Sequence, residues 1–250
     1  MTGRVNVLGV DVSAIDVAAV LAQFDQSIRT ATRQYICVTG VHGVMEAVRD
    51  REVLAAHRGA GLVVPDGMPL VWLLRASGYR TGRVYGPTLM LEAFERSQST
   101  GYRHFLYGAS PGTIERLRTN LAGRFPAAAV VGCYAPPFRP PGALEGDAVI
   151  AAINSTKPDI VWVGLSTPKQ ELWMANHRAR LTAPVLVGVG AAFDFHAGLV
   201  RQAPAILQQM GLEWAFRMAM EPRRLAGRYL RNNPAFIGLL IARALGLRHF

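Results

Sequence analysis

An aspartate stands between two apolar runs in LVVPDGMPLVWLL (62–74), and its setting is that of a reactive carboxylate. A carboxylate in a partly desolvated crevice has a raised pKa and becomes a usable base, so Asp66 is a candidate catalytic residue. The same spacing also suits an aspartate that only caps the next helix. His42, in TGVHG (39–43), could act as a base or a ligand, or serve the fold alone. Five segments combine glycine with polar or charged residues directly after apolar runs. They are Thr39-Gly40-Val41-His42-Gly43, PDGMP (65–69), GASPG (108–112), GLSTPKQE (164–171) and GVGAAFD (188–194). Glycine lets backbone approach a ligand closely, and a following helix N-terminus offers free N–H groups to an anion. Gly108, Gly164, Gly188 and Gly190 are therefore candidate contacts for a diphosphate. One such turn alone is an ordinary strand-to-helix connection; five in one chain favour an anionic ligand. No Walker pattern, GxGxxG, HExxH, CxxC or Asp-x-Asp is present, so neither a protein-held metal nor another cofactor is expected.

A second concentration of chemistry lies near the C-terminus. Residues 211–250 hold seven arginines against Glu213 and Glu221, half of the net charge of +10. Arg217, Arg224, Arg228 and Arg231 share one helical face if a helix passes through Pro222 or re-forms after it. Trp214, Phe216, Met218, Met220, Leu225 and Tyr229 add apolar surface. The run AFIGLLIARALGL (235–247) is 13 residues long and broken by Arg243, short of the roughly 20 needed to span a bilayer. Apolar surface beside arginine suits an anionic membrane surface; the alternative is a helical pair packed on the core with a solvated basic face. Nucleic acid is not expected, because no stacking aromatics are interleaved with the basic residues and no helix-turn-helix or zinc signature is present.

The elements that must position these residues follow from periodicity. Short apolar, β-branched runs recur at 5–10, 35–39, 62–65, 104–107, 130–134, 160–165 and 185–189. Helically spaced stretches separate most of them, as with Val17, Val20, Leu21, Phe24 and Ile28. This alternation predicts an α/β fold with a Rossmann-like parallel sheet layered by helices, whose ligands bind beyond the carboxyl ends of the strands. Runs such as IVWVGL are apolar throughout, as strands covered on both faces are. Ser110-Pro111 and Thr167-Pro168 each read as an N-cap followed by proline at the first helical position. PPFRPPG (136–142) reads as a loop, since proline breaks helices and central strands. After about Gly198 no strand-like run appears, and Pro204, Pro222 and Pro234 punctuate two or three helices. The expected organisation is a catalytic α/β domain over 1–198 and a basic amphipathic helical appendage over 199–250.

A chain of 250 residues with 50% hydrophobic content can bury a full core. Its 27 basic residues include only two lysines, Lys157 and Lys169, so any single arginine is weak evidence. Cys37 and Cys133 sit apart in apolar runs and read as buried free thiols. The N-terminus lacks a basic region followed by an apolar one, so no secretory signal is expected, and the protein is expected in the cytoplasm, peripheral on the inner face of the cell membrane.

Blocks along nearly the whole chain resemble the WecG/TagA/CpsF glycosyltransferases, glycosyltransferase family 26. They run from LGVDVS through VPDGMPLVW, RVYGPTLM, FLYGASPG, KPDIVWVGLSTPKQELW, GVGAAFDFHAG and RQAP to GLEWAFRMAMEPRRLAGRYL. The resemblance implies inverting, metal-independent transfer from a UDP-sugar to a polyprenyl-diphosphate-linked sugar at the cytoplasmic membrane face. It makes Asp66 the base that deprotonates the acceptor hydroxyl and sets Thr39 beside it. It places Arg83 and Gln170 on the substrates, and Asp194, the nearby glycines and Phe138 on the donor nucleotide, with Phe138 against the nucleobase. It brings Arg217, Arg224 and Arg228 to the membrane and to the leaving diphosphate. Many relatives read Thr-x-Asn at the second strand, where this chain has Thr39-Gly40-Val41 and then His42, so sugar specificity does not carry over. Two other readings remain: a non-catalytic nucleotide-sugar-binding protein of the same fold, and a membrane-surface adaptor working through its tail. The adaptor leaves the glycine-rich turns unexplained, and a binding module needs no base. Apolar tail surface could also be covered by a second copy in a homo-oligomer.

Overall fold

The computed structural model describes residues 3–250. Six parallel strands form the central sheet in the order β4-β3-β8-β7-β5-β6. They are β3 (Gln34–Thr39), β4 (Leu62–Pro65), β5 (Arg103–Gly108), β6 (Ala129–Tyr134), β7 (Ile160–Gly164) and β8 (Val185–Gly188). The chain leaves β3 toward one edge and β5 toward the other. The carboxyl ends between these departures are where an α/β sheet opens a crevice.

Successive residues of each strand point to opposite faces, and both faces are buried. Ile36, Val38, Val64, Leu106, Trp162 and Val187 join a core closed by α1 (Val17–Thr30), α5 (Gly86–Thr100), α6 (Pro111–Arg124) and α9 (Ala192–His196). Cys37, Val63, Tyr107, Val161, Val163 and Leu186 face the other core. That core is closed by α2 (Val41–Arg49), α3 (Arg51–Arg58), α4 (Met68–Ala76), α7 (Asp147–Ser155) and α8 (Lys169–His177).

Three helices follow the last strand: α10 (Ala205–Gln209), α11 (Glu213–Met220) and α12 (Pro222–Ala244). Pro222 starts α12, while Pro234 lies inside it. The basic set is thus divided, with Arg217 on α11 and the other three on α12. Leu225, Asn232 and Phe236 of α12 are buried, and Phe236 enters the core formed with α2 and α4. Among the described residues no helix is long and apolar enough to cross a membrane.

Four local expectations are corrected. The run 5–10 is not one strand of the central sheet but the turn region of a separate antiparallel hairpin, β1 (Arg4–Val7) and β2 (Val10–Ser13). Leu8 and Gly9, at φ 51° and 92°, turn the chain between them. Thr167 does not cap α8: Pro168 occupies that place, and the Thr167 hydroxyl donates to Glu171 Oε1 at 2.8 Å. Cys133 is exposed, because β6 is an edge strand, whereas Cys37 is buried. The basic face is split, because α11 ends before Pro222 and α12 begins there. Ser110 does cap α6, accepting from Thr113 N–H at 3.3 Å, and 135–146 is a loop.

One polar cluster locks α5 to the sheet. His104 accepts from Trp162 Nε1–H at 2.9 Å, pairs with Ser97 Oγ at 2.8 Å and stacks on Phe94 with centroids 3.9 Å apart. Burial holds its pKa down at about 3. The unfolded chain therefore takes up a proton near pH 6.5 while the folded chain does not, so stability is lost as pH falls below that value. His104→Gln should flatten this slope by up to about 1.4 kcal/mol per pH unit between pH 6 and 5; urea unfolding at both pH values reads it, and an unchanged slope counts against His104.

Candidate active site

A cavity of about 1180 Å³ opens over the carboxyl ends of β3, β4 and β8, walled on the far side by α11 and α12. Asp66 follows β4 directly, and its backbone N–H donates to the Thr39 carbonyl at 2.9 Å, continuing the ladder between β3 and β4. The first residues of α4 carry the chain away, with Pro69 inside its first turn. The carboxylate lines the cavity, yet its Oδ1 is shielded from solvent and has no hydrogen-bond partner.

Arg83 is held beneath it. Its Nε donates to the Asp66 backbone carbonyl, its Cζ sits 4.1 Å from the Tyr85 ring centroid, and its Nη2 donates to Glu213 Oε2 at 2.6 Å. The same Nη2 lies 3.8 Å from Asp66 Oδ1. Glu213 thus takes the close contact that would otherwise neutralise Asp66. Burial pushes the Asp66 pKa up to about 6, with Arg83 opposing and Glu213 adding to the rise. Burial also raises the Tyr85 hydroxyl, with Glu213 and Asp66 adding to it.

The cationic wall comes from Arg217, Arg224 and Arg228. Arg217 packs on Phe195 at 5.4 Å, and its Nε is buried without a partner. Arg224 is paired with Glu221, the residue that caps its helix. Burial lowers the Arg228 pKa, and Arg224 and Arg217 add to that effect.

His42 lies on the first turn of α2. Its pKa falls to about 4, first by burial and then by the charge of Arg228, so it is neutral at pH 7. Asn232 Nδ2 donates to its Nδ1 at 3.0 Å, which leaves the ring proton on Nε2. Asn232 also lines the cavity, with its Oδ1 buried and unpartnered.

The remaining sequence candidates divide clearly. Gln170 and Gly190 line the cavity; Gln170 is buried, donates to Glu171 Oε1 at 3.3 Å and keeps Oε1 unpartnered. Thr39 lies beneath the floor at 1% exposure, bonded to His57 Nε2 at 3.2 Å. Glu171 is beside that layer, its pKa raised by burial against the opposing pull of His57. Gly108, Gly164 and Gly188 do not line the cavity. A Cβ at Gly108 would lie 2.6 Å from the Gly164 carbonyl oxygen, one at Gly164 2.6 Å from the Phe193 ring, and one at Gly188 2.8 Å from Met174 Cε. Close packing explains these three. Asp194 is also off the lining; burial raises its pKa against the charges of Arg224 and Arg217. Phe138 is 92% exposed, with Lys169 Nζ 3.9 Å from its ring centroid.

Sequence reasoning missed Tyr85, Glu213 and Asn232 as site residues. Glu213 and Asn232 stand 130 and 190 positions from their partners, and no local pattern marks either. Tyr85 had a faint signal, lying within RVYG two residues after Arg83. Among the described residues no three His, Cys, Asp or Glu side chains form a group that could hold a metal ion.

The profile of the Glycosyl transferase WecG/TagA/CpsF family matches residues 5–249. The chain is 28% identical over 243 residues to the N-acetylglucosaminyldiphosphoundecaprenol N-acetyl-beta-D-mannosaminyltransferase of Staphylococcus aureus (strain MW2), covering 94% of this chain and 91% of that one. It is 28% identical over 180 residues to the Bacillus subtilis (strain 168) protein of the same name, covering 71% and 68% of the two chains. With nearly its whole length matched, the chain belongs to the WecG/TagA/CpsF family of glycosyltransferases.

Proposed function

We propose that the protein is an inverting, metal-independent transferase that moves a sugar from a UDP-sugar to a polyprenyl-diphosphate-linked sugar, in synthesis of a bacterial surface polysaccharide or wall polymer. The sugar is of N-acetylmannosamine, uronic acid or hexose type. The relatives' name supports the acceptor class, since it specifies an N-acetylglucosaminyl diphosphoundecaprenol. In this reading residues 1–198 carry the base and the nucleotide crevice. Residues 199–250 supply the cationic wall and rest on the inner membrane surface.

The observation that carries the reading is the Asp66 carboxylate, raised to about 6 and facing a wall of arginines across one cavity. The acceptor hydroxyl gives its proton to Asp66, and its oxygen attacks the anomeric carbon of the donor. The bond from that carbon to the UDP oxygen breaks on the opposite face, and UDP leaves with the electron pair. One displacement inverts the anomeric centre. A base with a pKa near 6 is ionised at pH 7 yet still takes a proton in the transition state. Arg217, Arg224 and Arg228 meet the charge that grows on the leaving diphosphate, the role a divalent cation fills elsewhere.

Asp66→Asn should cut turnover at least about a thousandfold and leave UDP binding by thermal shift close to wild type. Because the folded-state pKa is raised from 3.8 to about 6, the carboxylate costs stability that appears as pH rises through that window and persists above it. The asparagine variant should therefore melt higher than wild type at pH 7.5, by about 2–4 °C, and lose that advantage near pH 4. Full activity in this variant would remove Asp66 from the chemistry.

Wild-type kcat/KM should rise with pH through about 6 and then level. Glu213→Gln removes a repelling charge and frees Arg83 for Asp66, so the acid limb should move down by about one pH unit and kcat should fall about tenfold. An unmoved limb would mean that Glu213 does not tune the base. Product mass from a panel of UDP-sugars and synthetic polyprenyl-diphosphate N-acetylglucosamine, run with and without EDTA, tests the whole reading. The same product in both conditions is expected; a loss that Mg²⁺ restores would overturn the arginine-based account.

A further inference from the structure

The cavity is larger than the chemistry at its charged end requires. Small-ligand and cofactor sites enclose about 300–1,000 Å³, and this one encloses about 1180 Å³. Beyond Asp66 and the arginines it continues between α4 and the second half of α12, and there its lining becomes apolar. On α4, Met68, Trp72 and Ala76 recur every fourth residue; on α12, Asn233, Ile237 and Ile241 do the same. Each helix thus turns one continuous stripe to the gap. Gly238 lies beside the α12 stripe, and a Cβ there would meet nothing within 4 Å. At the inner end the turn at Gly211 packs on Trp72, since a Cβ at that glycine would sit 3.0 Å from Trp72 Cη2.

Trp72, Ile237 and Ile241 line this extension and are still 51%, 57% and 55% exposed. Large apolar side chains that face each other across a gap and stay open to water mark an unfilled binding surface. The occupant follows from what lies at the two ends. One end is cationic and the other is hydrocarbon-like, within a single cavity, which matches an amphiphile with a diphosphate head and a lipid tail. A UDP-sugar is polar throughout and has no use for the apolar stripes. From Arg228 to Ile241 the helix rises about 20 Å, at 1.5 Å per residue, enough for several isoprene units. Leu245 and Leu247, 68% and 74% exposed, extend the apolar surface past the end of α12.

We propose that the slot between α4 and α12 binds the first isoprene units of the acceptor's polyprenyl chain, with the diphosphate between the slot and the arginines and the sugar at Asp66. This rests on the transfer reading above, which supplies the acceptor class. The slot makes the lipid a recognised part of the substrate as well as its anchor.

The test uses the full chain with Gly238→Phe, which fills the slot, and Ile241→Asn, which removes apolar wall. Retained thermal stabilisation by UDP confirms that each variant is folded. Transfer is measured to a seven-isoprene and a two-isoprene acceptor below the critical micelle concentration, and binding of sugarless seven-isoprene diphosphate by equilibrium dialysis. The long-to-short ratio of kcat/KM should fall at least about tenfold in both variants, equivalent to about 1.4 kcal/mol, with a parallel loss of prenyl diphosphate binding. A ratio and a binding constant within twofold of wild type in both folded variants would overturn the slot and leave the chain on the bilayer or against a second copy. Slot-dependent prenyl binding without transfer to either acceptor would overturn the transfer reading and leave the slot standing.

Discussion

One guanidinium ties the site together. Arg83 donates through Nε to the backbone carbonyl of Asp66, stacks on Tyr85 and donates through Nη2 to Glu213. Three distant stretches of chain meet on this one side chain: the end of β4, the approach to α5 and the start of α11. Because Glu213 holds the near contact, the cation fixes Asp66 in place while standing 3.8 Å from its carboxylate, an ion pair without a hydrogen bond. A closer pair would suppress the basicity that burial creates, and an absent cation would leave Glu213 buried without compensation. Positioning and reactivity are therefore separated between the backbone of Asp66 and its side chain.

Much of the sheet was legible because its physical cause is local. Strands covered on both faces are apolar throughout, and IVWVGL and VLVGVG could hardly be anything else in a chain of this rhythm. The exception at 5–10 is instructive. That run has the composition of a strand, yet Leu8 adopts positive φ and the chain doubles back at Gly9, a choice that depends on pairing with 10–13. Thr167 and Cys133 were misjudged for a related reason. A capping pattern does not report that a buried glutamate competes for the hydroxyl, and an apolar run does not report that its strand lies at an edge.

At the site, the residues that follow strands were legible and their partners were not. Asp66, His42, Gln170 and Gly190 reach the cavity because strand ends must open there. Which of the glycines close-pack and which face a ligand depends on Phe193 and Met174, whose positions only the folded chain defines. The departure at 40–42 also takes a different meaning. His42 is joined by Asn232 from α12, so an asparagine amide stands in the cavity after all, supplied from the far end of the sequence.

That pairing also bears on how the molecule is assembled. The contacts that complete the cavity span 130 positions between Arg83 and Glu213 and 190 between His42 and Asn232, whereas β5 and β6 close over far shorter loops. Closing long loops is entropically slow and is rewarded only once a surface exists to dock on. On this ground the sheet and its helices are expected to form before the helical wall docks on them. In the transfer reading the arginines come with that wall, so a half-folded chain would hold the base without the cations that assist the leaving group.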